Sequence, residues 1–419
     1  MKGPAFQRSY QGLPRSVYFM CTGELLSSLG NFVLPFTTLI FTQSLAFTPG
    51  RAGFLVTMIY ALMYVPGALI GGRVSDVIGR KRSLIISLLG RAFCYFYCAY
   101  IGPSPLLVPF MALAVFFMGA AMPAYQSLMM DITRPDNRKT SFSLEYLSRN
   151  VGISFGYLTG GFLFNHYLYM LFLGNAVGVL AMLLMIVRYV PESKPTVELI
   201  QTSLEEGDTG ERAEEGGLIS AMMRRPLLLA FSIVMILFTF ILGQNTFSLP
   251  IQLNELFGPA GAPFYGSVMM VNGLAVVFFT TLITALTMHN SPVKNVSLTG
   301  VLFAVAYGAI WFYRIPAYFY LSAVIWTWGE ILMMTNARVF IANHTPMSHR
   351  GRFASVIPLL TGSGLAMGPL VMGGFIQRFG IRSAWPMLAF LGIIGSLLMT
   401  VLYFWETWSS DRFKKKKEQ

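Results

Sequence analysis

Along its length the chain alternates long apolar runs with short polar or charged turns. The runs lie at about 16–42, 50–72, 83–101, 104–130, 141–165, 168–190, 226–253, 262–288, 296–313, 316–344, 353–376 and 383–405. Each is near or above the roughly 20 residues that carry a helix across a bilayer. The pattern predicts an all-α membrane protein with twelve transmembrane helices, and twelve crossings return both termini to one side. One connection differs. Residues 191–225 are polar and hold eight acids: Glu192, Glu198, Glu205, Glu206, Asp208, Glu211, Glu214 and Glu215. Length and charge predict a flexible acidic tether between two six-helix halves, 1–190 and 226–406, with a basic tail at 407–419.

Charge orients the bundle. Lys2, Arg8, Arg15, Arg73, Arg80, Lys81, Arg82, Arg134, Arg138, Lys139, Lys294, Arg350 and Arg352 crowd the turns on one side, whereas the opposite turns carry Arg51, Arg314, Arg378 and Arg382. The positive-inside rule makes the crowded side cytoplasmic, so both termini are expected inside a multi-pass protein of the cell membrane. Lys414, Lys415, Lys416 and Lys417 should attract anionic headgroups by about 1 kcal/mol each. The chain is 55% hydrophobic and only 11% charged, against roughly a quarter charged in soluble domains. Its net charge of +12 belongs to one face of a membrane protein, not to a nucleic-acid footprint. Cys21, Cys94 and Cys98 fall inside spans and read as small packed hydrophobes. The first run is too long for a signal peptide, and no small-residue cleavage site follows it.

The halves echo each other. Gly152, Gly156 and Gly161 recur as Gly364, Gly368 and Gly373, each 212 residues on, and Arg138 with Arg350 and Ser143 with Ser355 keep the same displacement. Small residues four apart on one helix face permit close helix contact. Between the second and third runs lies Gly72-Arg73-Val74-Ser75-Asp76-Val77-Ile78-Gly79-Arg80-Lys81-Arg82. This stretch resembles the signature loop of the major facilitator superfamily, whose two six-helix halves are parallel repeats. The resemblance implies a secondary transporter with a cytoplasmic latch. Gly72 and Gly79 would let the backbone turn, Asp76 would meet helix 11, and Arg80 would meet Asp131 at the end of helix 4. The equivalent turn of the second half, Thr287 to Lys294, has lost the pattern, so the latch is expected on one half only.

Charges inside the runs are the sharpest clues, because each costs about 2.5–3.5 kcal/mol at mid-membrane on insertion scales. They are Glu24 in run 1, Arg91 in run 3, Glu145 and Arg149 in run 5, and Glu330 and Arg338 in run 10. Glu145 and Arg149, four apart, can pair along one helix face. A permanent pair would keep Glu145 ionised, whereas a pair that opens would let the desolvated acid take up a proton; both readings stand. Arg91 can pair with Glu24 and join helices 1 and 3. Acids and bases match three to three, so neutral, zwitterionic or amphiphilic cargo suits the cavity as well as cations do.

A closer resemblance rests on Asp131-Ile132-Thr133-Arg134-Pro135-Asp136-Asn137-Arg138-Lys139 leading to Ser143-Leu144-Glu145, on Thr327-Trp328-Gly329-Glu330-Ile331, and on the ladder Gly152-x-x-x-Gly156, whose second-half copy is Gly364-x-x-x-Gly368-Pro369. These segments resemble bacterial twelve-helix multidrug:proton antiporters. That resemblance implies proton coupling at Glu145 and Glu330, with Glu24 as a further candidate. Arg91, Arg149, Arg338 and Asn245 become candidates for substrate binding or charge pairing, since Gln244-Asn245-Thr246 stands where the relatives carry an acid in helix 7. Where the relatives have Gly-Pro in helix 5, this chain has Gly156-Tyr157. Phe116, Phe117, Tyr125, Phe238, Phe240 and Trp326 lie near run centres and suit an aromatic pocket or plain helix packing. His166, His289, His344 and His349 read as isolated, solvated residues near turns. No phosphate loop, metal cluster or nucleophile–base pair emerges. The expected activity is therefore export of hydrophobic or amphiphilic small molecules by a monomer among membrane lipids, driven by the proton gradient without a cofactor, and not an enzymatic reaction. A lipid or glycolipid translocator is the alternative, and a nutrient importer a more distant one.

Overall fold

The computed structural model describes residues 12–133, 135–192, 225–287, 289–312, 314–344 and 350–417. Among them every regular element is helical. In chain order these are α1 (Arg15–Leu29), α2 (Val33–Leu39), α3 (Pro49–Ile59), α4 (Val65–Ile78), α5 (Arg80–Ile101), α6 (Leu107–Asp131), α7 (Pro135–Phe164), α8 (Leu168–Tyr189), α9 (Pro226–Gly243), α10 (Ser248–Phe257), α11 (Gly261–Thr287), α12 (Pro292–Phe312), α13 (Pro316–His344), α14 (Arg350–Phe379) and α15 (Ala384–Lys417).

Fifteen helices make twelve crossings because three crossings are broken, each for a local reason. Crossing 1 is α1 plus α2, interrupted at Gly30 and Asn31 and widened into a π-turn at Ile40–Ser44. Crossing 2 is α3 plus α4, joined by a π-turn at Tyr60–Tyr64 that leads directly into Val65 and Pro66. Proline has no N–H to return to the preceding turn, so the helix loosens there. Crossing 7 is α9 plus α10, broken at Gln244–Phe247 with Pro250 just inside the second piece. Nine segments among the described residues are long and apolar enough to span a bilayer by composition, one of them running through α9, α10 and α11. The two helices below that threshold are α7 and α13, the ones that carry Glu145 with Arg149 and Glu330 with Arg338. The crossings that carry Glu24 and Arg91 pass it despite their charge.

Two compact units emerge: residues 1–200 with 249–277, and residues 201–248 with 278–419. In the first, α1 packs on α7 and α8, while α6 packs on α4 and α5. Its core near one end gathers Val17, Met20, Leu84, Leu88, Leu128 and Ile186. In the second, α12 packs on α13 and α15, and α9 on α14. Large apolar side chains such as Leu69, Leu184, Phe278 and Val401 face outward, as befits helices whose solvent is hydrocarbon.

Candidate functional site

The site is built where α1 meets α7. Gly152 lets the two backbones approach: a Cβ there would stand 2.7 Å from the Leu25 carbonyl oxygen. Gly156 sits one turn further along the same contact, against the Ser28 carbonyl. That closeness brings a distant carboxylate to the charged turn of α7. Arg149 donates from Nε to Glu24 Oε1 at 2.8 Å and from Nη2 to Glu145 Oε1. One guanidinium is therefore shared by two carboxylates, with Glu145 buried and Arg149 about one-third exposed. The i,i+4 pair read from sequence is present. Its third member, 125 residues away, carried no local signal. Glu24 pairs with Arg149, not with Arg91, so the expected link between helices 1 and 3 does not form.

Beside this triad lies a cavity of about 190 Å³ lined by Glu24, Arg149, Arg91, Tyr125, Asn31 and apolar side chains including Met118, Met122 and Ile153. Its charged and polar groups come from α1, α5, α6 and α7, and its apolar surface comes from Met and Leu side chains. Methionine is a pliable lining. All of it belongs to the first unit.

The same unit is closed elsewhere by small residues. Gly161 on α7 meets the Ala262 carbonyl and Pro263 of α11, and Gly266 meets the Tyr157 carbonyl in return. Tyr265 stands edge-on to Phe36 and Tyr157. Gly67 and Gly71 of α4 interlock with Phe116, Gly119 and Ala120 of α6. This Gly-x-x-x-Gly contact passed unnoticed in the sequence, where Gly72 drew attention instead; Gly72 has only ordinary contact with Pro123.

The signature turn is organised around Gly79, whose φ of 106° is open to glycine and strained for other residues. Arg80 Nε lies 3.3 Å from Asp131 Oδ2, the contact expected from the family pattern. The side chain of Asp76 lies outside the described residues. A residue that the sequence shows only as one acid of the polar connection completes the turn. Glu192 accepts from the Lys81 N–H at 3.0 Å and the Arg82 N–H at 3.3 Å, capping α5. A carboxylate there satisfies free N–H groups and faces the positive end of the helix dipole. Pro191-Glu192 just after a long apolar run was the available signal. The other acids of the 191–225 connection lie outside the described residues.

In the second unit two of the predicted residues, Asn245 and Glu330, both act on Tyr307, the first through a hydrogen bond and the second through its charge. Gly364 packs against the Ile236 carbonyl, Gly368 near Gln244, and Pro369 and Gly373 are buried. Asn245 is buried and accepts from the Tyr307 hydroxyl, whose ring lies parallel to Trp326. Glu330 is half-buried on α13 and Arg338 is exposed. His344 is not isolated as expected. It stacks on Phe340, and its Nε2 lies 3.7 Å from Glu406. Glu406 also accepts from Ser291 Oγ at 3.1 Å. His349 lies outside the described residues.

Comparison with known proteins settles the family. A sequence model of the Major Facilitator Superfamily matches residues 20–295 and 245–419. The chain belongs to that superfamily. It is 25% identical over 388 residues to the Na(+), Li(+), K(+)/H(+) antiporter of Planococcus maritimus, covering 85% of this chain and 88% of that protein. It is 24% identical over 403 residues to the uncharacterized MFS-type transporter YttB of Bacillus subtilis (strain 168), covering 93% and 96%. Among solved structures, a POT family transporter in complex with a thioalcohol conjugated peptide superimposes with a TM-score of 0.73 at 16% identity, covering 95% of this chain and 98% of that one. The human organic anion transporter MFSD10 (TETRAN) gives 0.63 at 16% identity, covering 92% and 100%. These likenesses establish the fold. The chain is a twelve-helix, multi-pass transporter of this superfamily, not an enzyme.

Proposed function

We propose that the chain is a proton-coupled antiporter exporting hydrophobic or amphiphilic small molecules from the cell by alternating access. The observation that supports this most directly is the guanidinium shared by two carboxylates. With a single acid partner, Arg149 would hold Glu145 ionised. With two, either carboxylate alone neutralises Arg149, and the other is free to bind a proton or a cationic part of the cargo. Proton and cargo then compete for one surplus negative charge, which couples their movements in opposite directions. With both termini cytoplasmic, Glu145 takes its proton from the outer side as cargo leaves and releases it inside. Glu330 is the second candidate carrier. The Arg80–Asp131 contact and the Glu192 cap stiffen the cytoplasmic turn between α4 and α5 while the transporter cycles.

A second reading, exchange of monovalent cations for protons, is favoured by the similarity to the Planococcus maritimus antiporter and by two carboxylates on one guanidinium, one of them lining the cavity. One experiment separates the readings. Reconstituted vesicles are given a pH gradient, and movement of a lipophilic dye and of radioactive sodium is followed for wild type, Glu145→Gln and Glu330→Gln. Gradient-driven dye movement lost in Glu145→Gln supports the export reading. Sodium movement without dye movement selects the cation reading, and coupling that survives both substitutions removes the assigned carriers.

A further inference from the structure

The cavity wall holds a second cation that neither the triad nor the latch uses. Arg91 on α5 and Tyr125 on α6 both line the cavity and are more than nine-tenths buried. Among the described residues the Arg91 Nε and the Tyr125 hydroxyl have no hydrogen-bond partner. Arg91 joins no ion pair among the described residues, and its guanidinium carbon lies 5.6 Å from the centre of the Tyr95 ring. Tyr95 offsets part of the cost of burying this cation with its ring face and a side-chain hydrogen bond, but the Nε–H stays unanswered, and a buried charge without a counter-ion is unfavourable. A guanidinium presents its donors in a planar fork that matches a carboxylate. Tyr125 adds a hydroxyl that can donate to the same anion. Glu24 and Arg149 line the same space, so the cavity offers an acidic group and a spare cation together.

We infer that Arg91 and Tyr125 form a subsite for a carboxylate on the transported solute, and that the solute is a zwitterionic amphiphile whose cationic end faces Glu24, the carboxylate that lines the cavity. This rests on reading the cavity as the cargo site. A purely cationic amphiphile would leave Arg91 unanswered, and a purely anionic one would meet Glu24 with nothing to offer it. A zwitterion satisfies both ends, and the Met and Leu side chains take its apolar body.

Two fluorescent probes test this because they differ by one carboxylate: Nε-dansyl-lysine and dansylcadaverine, its decarboxylated counterpart. Binding to the full chain in lipid nanodiscs is measured for wild type, Arg91→Gln and Arg91→Lys. Wild type should favour the zwitterion by about tenfold or more, the size of one charge-assisted hydrogen bond. Arg91→Gln should abolish that preference while leaving dansylcadaverine affinity and thermal unfolding in place, and Arg91→Lys should retain part of it. Failure of wild type to prefer the zwitterion overturns the subsite, as does a preference that survives Arg91→Gln or an equal weakening of both probes. Gradient-driven efflux of the same probes is run in parallel. Loss of proton drive with the carboxylate preference intact would remove the antiport reading and leave the subsite standing.

Discussion

Helices α1 and α7 meet through Gly152, and 212 residues further on α9 and α14 meet through Gly364. Backbone approaches backbone in both: the Leu25 carbonyl faces Gly152, and the Ile236 carbonyl faces Gly364. The side chains around the two contacts have nothing in common. Glu24, Glu145 and Arg149 of the first have Ile236, Ile357 and Thr361 at the same displacement in the second. Where the first contact is bridged by a guanidinium between two acids, the second is bridged by the Thr239 hydroxyl donating to the Thr361 carbonyl at 2.6 Å. A duplicated scaffold thus keeps its packing at this contact, while only the first copy bridges it with ionised side chains. Charge inside a membrane is costly enough to be kept only where it is used.

The largest expected effect comes from removing the shared cation. Arg149→Met leaves two carboxylates facing each other in a buried site. It should cost about 3–5 kcal/mol of stability and abolish gradient-driven transport. The counterpart Thr361→Val keeps the interhelical bond, which uses the backbone carbonyl, and should cost about 1 kcal/mol or less in detergent thermal unfolding. Equal losses would erase the contrast between the two copies.

Packing should respond alike in both copies. A Cβ at Gly364 would lie 2.0 Å from the Ile236 oxygen, so Gly364→Ala should destabilise somewhat more than Gly152→Ala, each by about 1–3 kcal/mol. Gly362→Ala on the same helix meets nothing within 4 Å and should stabilise by about 0.5–1 kcal/mol through helix propensity alone, which calibrates the measurement. Next come the two acids. Glu24→Gln and Glu145→Gln each leave Arg149 one partner and should be mild for stability, whereas the double substitution should exceed their sum by about 0.5–3 kcal/mol. Additivity would mean that the cation is not shared. The smallest effect belongs to the latch: Arg80→Gln should cost about 1 kcal/mol or less, because its ion pair with Asp131 is partly exposed.

The latch turns repeat the contrast at the other end of each copy. The first joins an ion pair, Arg80 on Asp131, to a carboxylate cap, Glu192 on the α5 amides. The second has Asn295 donating to Asn336 at 2.8 Å, and Glu406 held by Ser291 and His344. An acid near the end of the sixth and of the twelfth crossing is common to both. What it grips has changed from helix amides to side chains.

Much of this was legible in the chain. The apolar runs gave the crossings, because hydrocarbon demands about 20 apolar residues per helix. The i,i+4 spacing gave Glu145–Arg149, and the spacing of the signature turn gave Arg80–Asp131. Illegible were the contacts that join residues far apart in the chain. Glu24 lacks any local mark of its partner, Glu192 reads as one more acid of a polar connection, and His344 looks solvated until α15 brings Glu406 beside it. Asn245, a candidate for substrate binding or charge pairing from its place in helix 7, accepts from the Tyr307 hydroxyl, a partner 62 residues away that leaves no local mark.

By itself, then, the sequence determined twelve helices, two related halves and the residues too costly to bury without purpose. Period, length and composition act locally and leave their mark in consecutive residues. Only the tertiary structure decided which charges meet. It gave Arg149 two acids and left the Arg91 Nε without an acceptor, because glycine-mediated contact between helices fixes distances that no spacing along the chain encodes.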